Sequence, residues 1–113
     1  MKILIVSSSL NPDSKSRLLA QELEEHWKGA DFEVAFLDLR EANLPMCDGG
    51  AAFGDVRVIR VKAMVDEADG IVFASPVYVY NVNAAMKNFV EFAGHSMKDK
   101  TAGFLCSAGG RLS

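Results

Sequence analysis

Residues 1–28 read MKILIVSSSLNPDSKSRLLAQELEEHWK, and this stretch decides the fold. Residues 2–6 (KILIV) form a short apolar, β-branched run, the pattern of a strand buried on both faces. A small polar segment follows, and residues 14–28 then turn helical. Leu19, Leu23 and Trp27 recur at four-residue spacing and predict one apolar face. Asp13 or Ser14 stands where an N-cap belongs, and Gly29 stands where a C-cap belongs.

The same strand, loop and helix unit recurs along the chain. Residues 33–39 (EVAFLDL) predict a second strand, and residues 40–54, with Pro45, Gly49, Gly50 and Gly54, a long loop. Residues 56–68 open as VRVIRV, which alternates as a strand would. Their continuation, and the need for a crossover here, favour a helix. Residues 70–75 (GIVFAS) predict a third strand. Residues 83–93 predict a helix with Ala85, Phe89 and Phe92 on one face and Gly94 as its stop. Thr101–Ser107 (TAGFLCS) predicts a fourth strand, apolar enough to be buried on both faces. Buried strands alternating with amphipathic helices define an α/β fold: an open parallel sheet with helices on both faces.

Composition narrows the function classes. With 113 residues, one domain spanning 1–113 is expected and two are not. A hydrophobic fraction of 50% supports a packed core and excludes a disordered chain. A net charge of −3 leaves no large basic face, so nucleic acid is not an expected partner. No apolar run approaches the roughly 20 residues that cross a bilayer, so no membrane association is expected. The apolar start is too short for a signal peptide, and the two cysteines fit a reduced, cytoplasmic setting. Cys47 and Cys106 lack metal-ligand spacing, and Cys106, in a strand, is expected as a small core residue. His26 and His95 sit near helix C-termini, where partial positive charge is favoured. Met46, Met64, Met86 and Met97 are expected in packing roles. No metal ligand and no catalytic side chain is assigned.

In a parallel α/β sheet, ligands bind beyond the carboxyl ends of the strands at a topological switch point. Three segments lie there. The first, SSSLNPDSKSR, is rich in hydroxyls and runs into a helix start, where free N–H groups and the helix dipole suit a phosphate. It lacks G-x-G-x-x-G and G-x-x-x-x-G-K-[ST], so neither the dinucleotide nor the nucleoside-triphosphate fingerprint is present. Ordinary helix capping would leave the same loop. The second, SPVYVYNVNAAMKN, offers backbone amides and the flat faces of Tyr78 and Tyr80 to a planar heterocycle; one tyrosine packed and the other merely exposed is the simpler reading. The third, SAGGR, lets backbone approach a ligand closely, or simply turns.

Taken together, ILIVSSSLNPDSKSRLLA, DLREANLP followed by CDG, ADGIVFASPVYVYNVNAAMKNFVEF and SAGG resemble, in order, segments of the NADPH-dependent FMN reductase family. The resemblance implies a flavodoxin-like fold with strand order 2-1-3-4, FMN as cofactor and NADPH or NADH as electron donor. It implies an FMN-binding NAD(P)H-dependent oxidoreductase, passing electrons to a flavin, quinone or similar small-molecule acceptor. A flavodoxin-type electron carrier, or a fragment without activity, is the alternative. By the resemblance, Ser9, Ser14 and Ser16 would hold the FMN phosphate. Asn11 stands where the family often has arginine, a loss of about 1.5–3 kcal/mol unless Arg17 compensates. Pro76, Val77, Tyr78 and Val79 would line the ring, with Asn81 close by. Ser107, Ala108, Gly109 and Gly110 would approach its other edge.

Family members continue past the fourth strand with further helices and a fifth strand, so the domain is expected to be incomplete at its C-terminus. The fourth strand then becomes a bare apolar edge, and self-association into a homo-oligomer is expected.

Overall fold

The computed structural model describes residues 1–109. Its elements are β1 (Lys2–Ser7), α1 (Lys15–Lys28), β2 (Glu33–Asp38), α2 (Leu39–Ala42), α3 (Val56–Glu67), β3 (Gly70–Tyr78), β4 (Asn81–Val82), α4 (Ala84–Ala93) and β5 (Thr101–Ser107). The long strands run parallel in the order β2-β1-β3-β5, which is the expected 2-1-3-4 order of a flavodoxin-like sheet. The two-residue β4 folds back antiparallel on the end of β3.

Strand alternation assigns each face its own core. Leu4, Val6, Ile71 and Phe73 meet Val61 and Val65 of α3 and Met86 and Phe89 of α4. Ile3, Ile5, Val72 and Ala74 meet Ala20, Leu23 and Trp27 of α1. Helix starts follow the caps: Ser14 accepts from the Arg17 amide, Asp55 from the Arg57 amide and Asn83 from the Met86 amide. At the far end of α3, Lys100 donates to the carbonyls of Val65, Asp66 and Ala68, closing that helix and anchoring the entry to β5.

Several expectations are corrected. The stretch 40–54 is not one loop: it follows the short α2 and carries a 3₁₀ turn at Ala51–Gly54. Leu19 is 49% exposed, because Ser16, Ala20, Leu23 and Trp27 form the buried face instead. Met46 is exposed as well. The strand expected to be buried on both faces, β5, is covered on one only. Leu105 packs toward α1. Phe104 stacks on Phe73 at 5.3 Å between centroids yet remains 68% exposed, because α4 packs on α3 and not across β5. Cys106 shares that open face and is exposed, not a core residue.

The segment after α2 is held by one buried side chain. Asn88 of α4 donates to the Pro45 carbonyl at 2.9 Å and accepts from the Cys47 amide at 2.8 Å. Replacing it by alanine strands both backbone groups. Asn88→Ala is therefore expected to lower the unfolding free energy by about 1–3 kcal/mol, measured by urea denaturation. A loss within error would show that the segment 43–48 finds other partners.

Candidate active site

The parallel register sets three chain segments side by side at the carboxyl end of the sheet. Ser7 pairs with Ala74, and Pro76 pairs with Ser107, so the three chains leave the sheet at nearly the same height. Between them lies a cleft of about 480 Å³, within the usual range for small-molecule sites. Its first wall is Ser9, Asn11, Asp13, Ser14 and Lys15; its second is Pro76, Val77, Tyr78 and Val79; its third is Ser107, Ala108 and Gly109.

Two local turns shape the first wall. Ser9 Oγ accepts from the Asn11 amide (3.2 Å), and Asn11 Oδ1 accepts from the Asp13 amide (2.9 Å). Ser14 then caps α1, its Oγ accepting from the Arg17 amide (2.9 Å) and lying 3.0 Å from Ser16 Oγ. The first-turn amides of Lys15 and Ser16 have no carbonyl to meet within the helix, so they are donors for a ligand at this helix start. Ser16 is buried behind Ser14 and does not line the cleft. Arg17 does not line it either. Its Nε donates to Asp38 Oδ2 (3.0 Å), Nη1 to the Asn11 carbonyl (2.7 Å) and Nη2 to the Ser9 carbonyl (2.5 Å). Among the described residues the cation on the cleft wall is Lys15, which the sequence reading passed over although it stands between two of the singled-out serines.

The second wall is strand rather than loop. The third strand runs past residue 75 through Tyr78, then turns tightly, with Val77 opposite Val82 and Tyr78 opposite Asn81. The two turn residues, Val79 and Tyr80, are both left-handed (φ 51° and 64°), which matches a type I′ hairpin. Neither residue type favours that conformation, and a β-branched valine does so least. Asn81, expected near the ring, lies in the hairpin and accepts from the Val82 amide; it does not line the cleft. Gly110 lies outside the described residues.

Asn83 connects the first two walls. This buried residue caps α4, donates through Nδ2 to the Ser8 carbonyl (2.8 Å) and meets Ser75 Oγ at 3.4 Å through Oδ1. Ser75 Oγ also donates to the Pro76 carbonyl (2.9 Å) and accepts from the Asn83 amide (3.3 Å). An asparagine ahead of an apolar helix signals a cap; nothing local announces the cross-link to Ser8.

The NADPH-dependent FMN reductase family matches residues 1–113, and the chain belongs to that family. It is 31% identical over 110 residues to an FMN-dependent NADH:quinone oxidoreductase of Shewanella loihica, a match covering 84% of this chain and 56% of the relative. An NADPH azoreductase of a Bacillus species is 24% identical over 112 residues, covering 97% of this chain and 60% of the relative. The chain thus spans somewhat more than half the length of these relatives. Among solved structures, the flavoenzyme NAD(P)H:(acceptor) oxidoreductase FerB of Paracoccus denitrificans shares the fold with a TM-score of 0.81 at 23% identity, over 97% of this chain and 62% of that one. An apo NADH:FMN oxidoreductase superposes with a TM-score of 0.80 at 20% identity, over 97% and 59%.

The turn at Val79 yields a direct test. Its side chain is largely exposed, so replacing it loses little packing. Val79→Asn, a residue that tolerates the left-handed region, is expected to stabilise the chain by about 1 kcal/mol in urea denaturation. Destabilisation would mean that the valine side chain makes contacts that offset the strain.

Proposed function

We propose that the cleft binds FMN and that the chain serves an NAD(P)H-dependent oxidoreductase acting on a small-molecule electron acceptor. The observation that carries this reading is the pairing of two unlike walls in one cleft. One is a hydroxyl-rich helix start with a lysine; the other is an extended backbone platform flanked by a tyrosine. The residues fit a flat ring bearing a phosphate on a chain. The first-turn amides of α1, Ser9, Asn11, Ser14 and Lys15 receive the phosphate, and Ser16 orients the Ser14 hydroxyl. The backbone of Pro76, Val77 and Val79 lies along the ring with Tyr78 beside it. Ser107, Ala108 and Gly109 close the other edge, with Gly110 next in sequence.

The redox chemistry belongs to the flavin, which takes hydride from a reduced nicotinamide and gives electrons to an acceptor. The protein's share is binding, orientation and electrostatics. Backbone donors of the second and third walls favour negative charge on the ring edge they face. No protein nucleophile or acid–base pair is required, so no catalytic side chain is assigned. Relatives named as quinone and azo reductases support a quinone or similar conjugated compound as acceptor, with NADH or NADPH as donor. The exposed Tyr78, Val79, Tyr80 and Phe104 support a homo-oligomer. The exposed thiol of Cys106 supports a reducing, cytoplasmic setting. No described helix is long and apolar enough to cross a membrane.

Two measurements test this reading. The purified chain loaded with FMN is expected to show a flavin visible spectrum that bleaches when NADPH or NADH is added without oxygen. A bound flavin that no nicotinamide bleaches would instead favour a carrier. For the placement of the phosphate, Ser14→Ala/Ser16→Ala is expected to weaken FMN binding about tenfold or more while changing riboflavin binding little. Equal losses for the two flavins would refute that placement.

A further inference from the structure

Arg17 carries a full charge, is 8% exposed, and stands one turn behind the helix start proposed for the phosphate. It faces away from that cleft. Its guanidinium makes two contacts to Asp38 at the end of β2, from Nε to Oδ2 (3.0 Å) and from Nη2 to Oδ1 (3.5 Å), and two to main-chain carbonyls of the first wall, Ser9 and Asn11. Asp38 is itself fixed, because its carboxylate also accepts from the Arg40 amide and caps α2. The side chains of the ion pair are 10% and 15% exposed, so the pair is shielded from water and held in one geometry.

A carbonyl held on one side of a peptide plane keeps its oxygen from the other. The Asn11 carbonyl belongs to the peptide of Pro12, which has no N–H, so there the gain is only an oxygen withdrawn. We propose that Arg17 and Asp38 form a positioning clamp for the phosphate-binding loop. The clamp draws the Ser9 and Asn11 carbonyls out of the cleft, so the hydroxyls and the first-turn amides of α1 meet a ligand without two carbonyl oxygens beside them. Without it, two carbonyl oxygens would be free to turn toward an anion and repel it. Arg17 thus acts on the phosphate through the loop and never touches it. Asp38 has two functions here. It neutralises a charge that would otherwise be buried alone, and it ties the loop to the β2–α2 corner. Lysine cannot replace Arg17, because one ammonium cannot reach a carboxylate and two divergent carbonyls with the fork geometry of a guanidinium.

The clamp rests on the FMN reading for its ligand but not for its effect on the loop. Arg17→Lys, Arg17→Gln, Asp38→Asn and the double variant Arg17→Gln/Asp38→Asn are compared with the unsubstituted chain. FMN and riboflavin affinities are measured by flavin fluorescence, and amide hydrogen exchange is followed over residues 9–14 without flavin. Each single variant, Arg17→Lys included, is expected to weaken FMN about tenfold or more and riboflavin less than about threefold. The double variant is expected to be no worse than the weaker single, because both substitutions break one device. Exchange at residues 9–14 is expected to quicken while the last turns of α1 stay protected. Restoration by Arg17→Lys, together with unchanged or tighter FMN binding in Asp38→Asn, would make Arg17 a direct phosphate ligand and overturn the clamp. Equal loss of both flavins would reduce the pair to general stability and also overturn it. If Arg17→Gln does not fold, Arg17→Lys and Asp38→Asn carry the same comparison. If the unsubstituted chain binds no FMN, the cofactor reading falls, and exchange in Arg17→Lys decides the clamp: faster exchange supports it, unchanged exchange refutes it.

Discussion

The carboxamide of Asn83 is the contact on which the cleft depends. One nitrogen and one oxygen bridge chain segments that are far apart in sequence: the Ser8 carbonyl after β1, the Ser75 hydroxyl within β3, and the first turn of α4. All of these groups are buried, where an unpaired donor or acceptor costs about 1–3 kcal/mol. The network therefore forms as a unit or is disfavoured as a unit. Its effect is to fix the spacing between a loop that offers donors and a strand that offers a flat backbone surface. Arg17 holds the same loop from the other flank. The carbonyls of Ser8, Ser9 and Asn11 are all engaged by Asn83 and Arg17, neither of which lines the cleft.

Much of this was legible in the sequence. Strands buried in a parallel sheet read as unbroken apolar runs, and α1, α3 and α4 each begin after a residue able to cap them. Those two signals are local. Together with the need for a crossover between parallel strands, which decided the helix at 56–68, they were enough for the order of the long strands and main helices and for the three loops at the strand ends. The hydroxyls at 9 and 14 and the segment 76–79 do meet in one cleft, because parallel strands bring their carboxyl ends together whatever lies between them.

What stayed hidden depends on partners distant in the chain. The direction of Arg17 is set by Asp38, 21 residues on, and no spacing rule links them. The exposure of Leu19, Met46, Phe104 and Cys106 depends on what covers them, which an apolar residue does not reveal about itself. The hairpin at Val79 and Tyr80 contains no glycine or asparagine at its two central positions, so the usual marker of such a turn was missing.

The extension of β3 to Tyr78 has a further consequence, for how such a cleft can vary. The second wall is counted off residue by residue from the middle of the sheet, with Pro76 locked opposite Ser107. A single residue inserted in β3 would advance that wall by about 3.3 Å and turn each of its side chains to the opposite face. An insertion in the stretch after α2 would leave all three walls where they are. Changes of length are therefore tolerated on one side of the molecule and forbidden on the other. Ligand preference at the cleft is left to change by substitution within segments of fixed length.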